Sequence, residues 1–309
     1  MLDFNYDYQQ CVANSEKISW KLDDVIPTDT KLDFNKMFLP PGLFSSDSLG
    51  FLSKDELLKL NQIMGNSYLN LFHFVEEYIV AETIEHAQSE MFSGNSSNMR
   101  ALLRFSDEEI KHQLLFERYR EIFQCNFGSI PKILEGAVQV AGIILSKSPL
   151  AVVAVTLHLE IITQYHYTES VRDNSDIDPT FSKVLKYHWM EEAQHAKVDA
   201  LELKKLVLNA DQKQIEQMYD DYIFIINAFD GLLISQSEMD YESLTERIGK
   251  KFSETNKRKI IDSQLKSYRN DFIKCGLDNN MFMGIMKEIS AFSFNKMLTL
   301  KSQYQEKMH

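Results

Sequence analysis

Two segments of the chain set a carboxylate three residues ahead of a histidine, Glu109-Ile-Lys-His112 and Glu192-Ala-Gln-His195. On a helix that spacing turns both side chains to one face. Around the first pair the face reads Leu102, Phe105, Glu109, His112, Phe116 and Tyr119, an apolar stripe interrupted by two ionisable groups. Burying such groups without partners is costly. A metal cation removes the cost, because carboxylate oxygen and imidazole nitrogen are donors that iron and manganese accept.

Further carboxylates are within reach. Glu160 lies on the apolar face Val153, Leu157, Glu160, Tyr167 and precedes Glu192 by 32 residues, with the turn-rich stretch 171–180 between them. Folded as a hairpin, the two glutamates come level. The same offset in the first hairpin selects Glu77 ahead of Glu109, with Glu76 and Glu82 as the alternatives. One glutamate from each of two helices and Glu-x-x-His from each of two others is the ligand set of ferritin-like dimetal proteins. His188, Glu192, His195 and Asp199 continue as one helical stripe, so His188 can reach the same metal as a seventh ligand. Asp199, one turn past His195, is placed to accept that imidazole's N–H.

These residues need long helices to carry them. Ser53 and Glu56 form a capping box, after which apolar residues recur at helical spacing to about Met91. The stretch 93–98 breaks that helix, and a second runs from Met99 to about Phe127. Pro149 opens a third, to about Ser170, and a fourth follows the loop at 171–180 and ends near Asn209. Further helices are expected at about 211–235, 241–275 and 280–307, with Gly276-Leu277-Asp278 the clearest break. No segment has strand periodicity. The expected fold is all-α: a ferritin-like four-helix bundle over 53–209, an irregular arm (1–52) packed on it, and additional C-terminal helices (210–309) of the same domain.

The segments His188-Trp-Met-Glu191-Glu192-Ala-Gln-His195 and Glu108-Glu109-Ile-Lys-His112, with Glu160 and an upstream glutamate, resemble the diiron arylamine N-oxygenases of the p-aminobenzoate N-oxygenase family. The resemblance spans residues 60–205. It implies that His188 is the family's third histidine ligand, and that two iron ions and O2 oxidise an aromatic amine stepwise through hydroxylamine and nitroso to nitro. Dimers are common in that family, so a homodimer is an open expectation. The close alternative reaction is hydroxylation of a C–H bond. A radical-generating or metal-storage ferritin-like protein, and a helical interaction module with solvated acidic faces, are the readings from other classes.

Composition agrees with an enzyme of small molecules. With 45 acidic against 33 basic residues the chain carries −12 and would repel a phosphate backbone, so nucleic acid is not an expected partner. The most apolar region, 137–162, is broken by Lys147, Pro149, His158 and Glu160, which argues against a membrane span. Cys11, Cys125 and Cys275 show no paired spacing, and the N-terminus is acidic and aromatic where a secretory signal is basic and apolar. A cytoplasmic protein is expected. No flavin or nicotinamide motif is present, so electrons would come from a separate reductase or another external donor. His73, His86, His158 and His166 read as packing or surface groups, and His309 is terminal.

Overall fold

The computed structural model describes residues 2–92 and 94–308. Ser93 of the expected turn and His309 lie outside them. The arm is less irregular than its composition suggests, since it holds two short helices, α1 (Tyr8–Ser15) and α2 (Leu22–Val25). Asp7 caps α1 by accepting a hydrogen bond from the Gln10 amide at 2.8 Å.

Four long helices follow the expected order. In α3 (Lys54–Glu90) the Ser53 hydroxyl accepts from the Glu56 amide at 3.2 Å and the Glu56 carboxylate from the Ser53 amide at 2.8 Å. Next comes α4 (Ser96–Phe127), stopped by Gly128 in the left-handed conformation, φ 84°. A short apolar helix, α5 (Ala137–Leu145), precedes α6 (Pro149–His166), which has Pro149 in its first turn and continues into a π-helical turn, Tyr167–Val171. Then α7 (Pro179–Leu208) begins at Asp178, whose carboxylate accepts the Phe181 amide at 2.7 Å.

Helix α3 packs along α4, and α6 along α7. The Thr83 and Ser106 hydroxyls, 2.7 Å apart, fix the register of the first pair. The inward faces carry the expected apolar residues, including Leu102, Phe105, Phe116, Val153 and Leu157, all buried. Helices α1 and α2 lie against α4 and α7, and α5 lies against α3.

The C-terminal third departs from expectation in its breaks. Helix α8 (Gln212–Ile248) runs through 236–240, where there is no glycine or proline to stop it, and ends at Gly249 with φ 64°. It covers α3 and α6. The next helix, α9 (Glu254–Arg269), passes through a π-helical turn (Asn270–Lys274) into α10 (Cys275–Asp278), so Gly276 lies inside helix. Its hydrogen side chain is needed for approach, since a Cβ there would sit 2.3 Å from the His158 ring. The expected helix at 280–307 is two, α11 (Asn280–Ile289) and α12 (Phe294–Glu306).

Two buried histidines fasten this layer to α6. His158 pairs with the Tyr222 hydroxyl at 2.7 Å and the Phe272 carbonyl at 3.1 Å, and His166 with the Tyr68 hydroxyl at 2.5 Å and the Asp271 carbonyl at 3.0 Å. Burial is the leading cause that lowers both imidazole pKa values to about 4. Among the described residues no helix is long and apolar enough to cross a membrane.

Candidate metal centre

Midway along the bundle, side chains from all four long helices converge. Glu76 of α3, Glu109 and His112 of α4, Glu160 of α6, and His188, Glu192 and His195 of α7 are each at most 4% exposed. Glu192 is central. One of its oxygens lies 3.0 Å from His112 Nδ1 and 2.6 Å from His188 Nε2, and the other lies 3.0 Å from His195 Nδ1. Glu76 stands 3.1 Å from His188 Nε2 at one end, and Glu160 stands 3.9 Å from His195 Nδ1 at the other. Between them, Glu109 Oε1 is 2.8 Å from His195 Nδ1 and 3.7 Å from His112 Nδ1.

Two groups of four, Glu76–His112–His188–Glu192 and Glu109–His112–Glu192–His195, have donor atoms mutually close enough to share an ion. Both oxygens of Glu109, one each of Glu76, Glu160 and Glu192, and Nδ1 of His112 are buried without a hydrogen-bond partner. Unpaired buried lone pairs aimed at one another are expensive, and a cation is what they lack. Four carboxylates also match the charge of two divalent ions. The donor set, mixed carboxylate and imidazole, fits iron or manganese.

The first carboxylate is Glu76, which corrects the choice of Glu77. A step of one residue rotates the side chain by about 100°, and Glu77 is turned out of the cluster to a partly exposed position. Glu82 is buried elsewhere on α3.

The partner expected for His195 is also different. Its Nε2 faces across the bundle to Glu108 of α4 at 3.0 Å, and Asp199 is left with a buried, unpartnered oxygen. The mirror contact joins His112 Nε2 to Glu191 of α7, also at 3.0 Å. In each Glu-Glu-x-x-His segment the second glutamate enters the cluster, while the first holds the histidine of the opposite helix. An imidazole that donates its Nε2 proton to a carboxylate presents a bare Nδ1 to the cluster, the form in which it binds metal.

These orienting glutamates are themselves anchored. Glu191 pairs with Lys111, and Glu108 accepts from Ser15 of α1 at 2.5 Å and Arg104 at 3.2 Å. The arm thus closes the centre: Trp20 lies parallel to the His112 ring, and Lys111 sits 4.1 Å over Trp20. Within the bundle, Phe105 stacks on His195 at 3.9 Å between ring centroids.

Electrostatics follow from the same contacts. Burial disfavours charge on His112 and His195, but Glu192, with Glu109 and the orienting acids, outweighs it and raises both pKa values well above the ordinary range. Burial raises the Glu192 carboxyl, but His195 and His112 prevail and bring it down to about 2. Glu76, by contrast, is raised by burial and by Glu109. Protons and metal ions therefore compete for the two imidazoles, so loading should release protons.

An apolar cavity of about 180 Å3 lies between α3, α5, α6 and α8, lined by residues such as Phe74, Tyr78, Ile144, Val155 and Phe229. On α3 and α6 these residues lie roughly opposite Glu76 and Glu160. This cavity backs onto the ligand-bearing helices and is not part of the centre.

A sequence search of curated proteins finds no match. Among solved structures the chain is similar to R2-like ligand-binding oxidases. One variant with an aerobically reconstituted Mn/Fe cofactor is 14% identical with a TM-score of 0.45, over 98% of this chain and 95% of that one. Another, reconstituted anaerobically, is 12% identical with a TM-score of 0.46, over 86% and 93%. The family model described as P-aminobenzoate N-oxygenase AurF matches residues 14–234, which include every residue of the cluster. The match spans more than two thirds of the sequence, and the chain belongs to the p-aminobenzoate N-oxygenase family of non-haem dimetal oxygenases.

Proposed function

We propose that this oxygenase inserts oxygen into the N–H bond of an aryl amine, with Glu76, Glu109, His112, Glu160, His188, Glu192 and His195 holding two iron ions. The observation that carries the reading is His188, whose Nε2 lies within 3.1 Å of both Glu76 and Glu192. It adds a third imidazole to the generic set of four glutamates and two histidines. An added neutral donor occupies a coordination position without adding charge, which alters the reactivity of the ions toward O2.

When bound, the iron pair supplies electrons to O2 and activates it. The chain does the rest. Glu108 and Glu191 fix the histidine tautomers, the aromatic rings of Phe72, Phe105 and Phe116 beside His188 and His195 keep the centre dry, and α1 seals it from outside. Nothing in the sequence resembles a nucleotide or flavin site, so an external donor supplies the electrons. A cytosolic setting, in which the separate thiols Cys11, Cys125 and Cys275 stay reduced, belongs to the same proposal.

The test is a single turnover. Iron-loaded, chemically reduced protein is mixed with O2 and p-aminobenzoate or another aniline, and products are read by mass spectrometry. The hydroxylamine, or its nitroso and nitro successors, is the expected result, and it disappears in His188→Ala while the bundle stays folded. Ring or alkyl hydroxylation in its place, or iron uptake far beyond two per chain without amine oxidation, would overturn the reading.

A further inference from the structure

Beyond the centre, toward the end of the bundle where α3 stops, the interior does not return to apolar packing. Asp199 stands one turn past His195 on α7 and is buried, with Oδ2 unpartnered. Glu82, six residues past Glu76 on α3, is buried too. Its Oε2 accepts from the Thr156 hydroxyl at 2.9 Å, and its Oε1 has no partner. The Tyr78 hydroxyl is 3.2 Å from the same threonine, which lies one turn before Glu160 on α6.

The next layer outward is again ionisable. His86 Nδ1 lies 3.2 Å from Glu202 Oε2, and Glu202 accepts from the Tyr8 hydroxyl at 2.8 Å and from Lys205 at 3.0 Å. Lys205 also pairs with Glu90 at 2.5 Å. Here solvent is reached: the His86 side chain is 13% exposed and that of Lys205 33%.

We propose that Asp199 and Glu82, continued by His86 and Glu202, are the route by which protons pass from solvent to the carboxylate–histidine centre. The inference rests on the oxygenase reading. Converting R–NH2 and O2 to R–NHOH and water breaks the O–O bond and forms one N–O bond. It consumes two electrons from the external donor and two protons, and, unlike the files through Glu191 to Lys111 and through Glu108 to Arg104, this one does not run through a carboxylate that holds a ligand imidazole. A buried carboxyl can relay a proton only if it can hold one at working pH. Burial raises Glu82 to about 7, against the lowering pull of His86 and Thr156 and with further raising by Glu202 and Glu85. Asp199 is raised by burial and then by Glu82, and it feels His195, Glu109 and Glu192 on its other side. Glu82 Oε1 and Asp199 Oδ2, each without a hydrogen-bond partner, are free to take up a proton.

The experiment compares wild type, Glu82→Gln, Glu82→Asp and Asp199→Asn as full-length proteins loaded with iron(II) without O2. Iron content, melting temperature and the infrared carboxyl band are read across pH before mixing with O2. The expected result is two irons per chain in all four and loss of a carboxyl titrating near pH 7 in Glu82→Gln. O2 consumption slows roughly 100-fold in that variant and loses its inflection near pH 7, and Glu82→Asp recovers most of the rate. A Glu82→Gln protein matching wild type in rate and pH profile, while wild type consumes O2, would overturn the route alone. Wild type that holds iron and never consumes O2 would overturn the oxygenase reading with it. Slower or incomplete iron loading in Glu82→Gln and Asp199→Asn would show that the file conducts cations inward, which also overturns the proposal.

Discussion

Glu108 of α4 accepts the Nε2 proton of His195 on α7 at 3.0 Å, and the reciprocal contact from Glu191 to His112 has the same length. The two halves of the bundle hold each other's histidines. Glu108→Gln and Glu191→Gln should each lower iron affinity about 10- to 100-fold with the fold intact, the usual penalty for losing a carboxylate behind a metal-bound imidazole. Isothermal titration with iron(II) under anaerobic conditions measures it. Unchanged affinity in both variants would show that these contacts do not orient metal ligands.

The choice between neighbouring glutamates on α3 gives a sharper contrast. Glu76→Ala should bind fewer than two metals per chain, whereas Glu77→Ala should keep both, because only Glu76 faces His188. Metal analysis of the two purified variants decides it, and equal losses would rule out the orientation of α3 described above.

A prediction away from the centre concerns His158 and His166. Their folded-state pKa values of about 4 lie below the ordinary histidine value of about 6.5. Above that value both are neutral folded or unfolded and take nothing from stability. As pH falls toward 4 the unfolded chain gains protons that the folded one refuses, so stability falls with pH through that window. At pH 5 the loss is at most about 2 kcal/mol for each residue, since every whole pH step below 6.5 costs about 1.4 kcal/mol while only the unfolded chain takes up the proton. Denaturant unfolding at pH 7.5 and pH 5 should show it, and Tyr222→Phe with His158→Gln should flatten the slope. An unchanged slope would refute the assignment.

Much of this is legible in the sequence, for definite reasons. The capping box at Ser53 and Glu56, Pro149 at a helix start and the Glu-x-x-His pairs are local signals, and each sits in the structure where helix geometry puts it. Glu77 is favoured over Glu76 only if the two hairpins have equal spacing. The offset to Glu109 is 33 residues in one and that from Glu160 to Glu192 is 32 in the other, and one residue swings a side chain by about 100°. Asp199 lies in line with His195 on the same helix, which makes it the obvious acceptor of the imidazole N–H, yet the ring points across to α4. The doubled Glu108-Glu109 and Glu191-Glu192 carry the missing signal. Their purpose shows only when two helices face each other. Glu82 illustrates the same limit, since its burial depends on α6 and α7.

Whether acids and imidazoles from four helices hold two neighbouring cations is the point on which the rest depends. Anomalous diffraction from crystals of the full chain soaked in manganese(II) decides it. Two peaks roughly 3.5–4 Å apart are expected, flanked by Glu76 and His188 on one side and by Glu160 and His195 on the other. Absence of both peaks from the space around Glu192, with manganese bound elsewhere or not at all, would refute the dimetal centre.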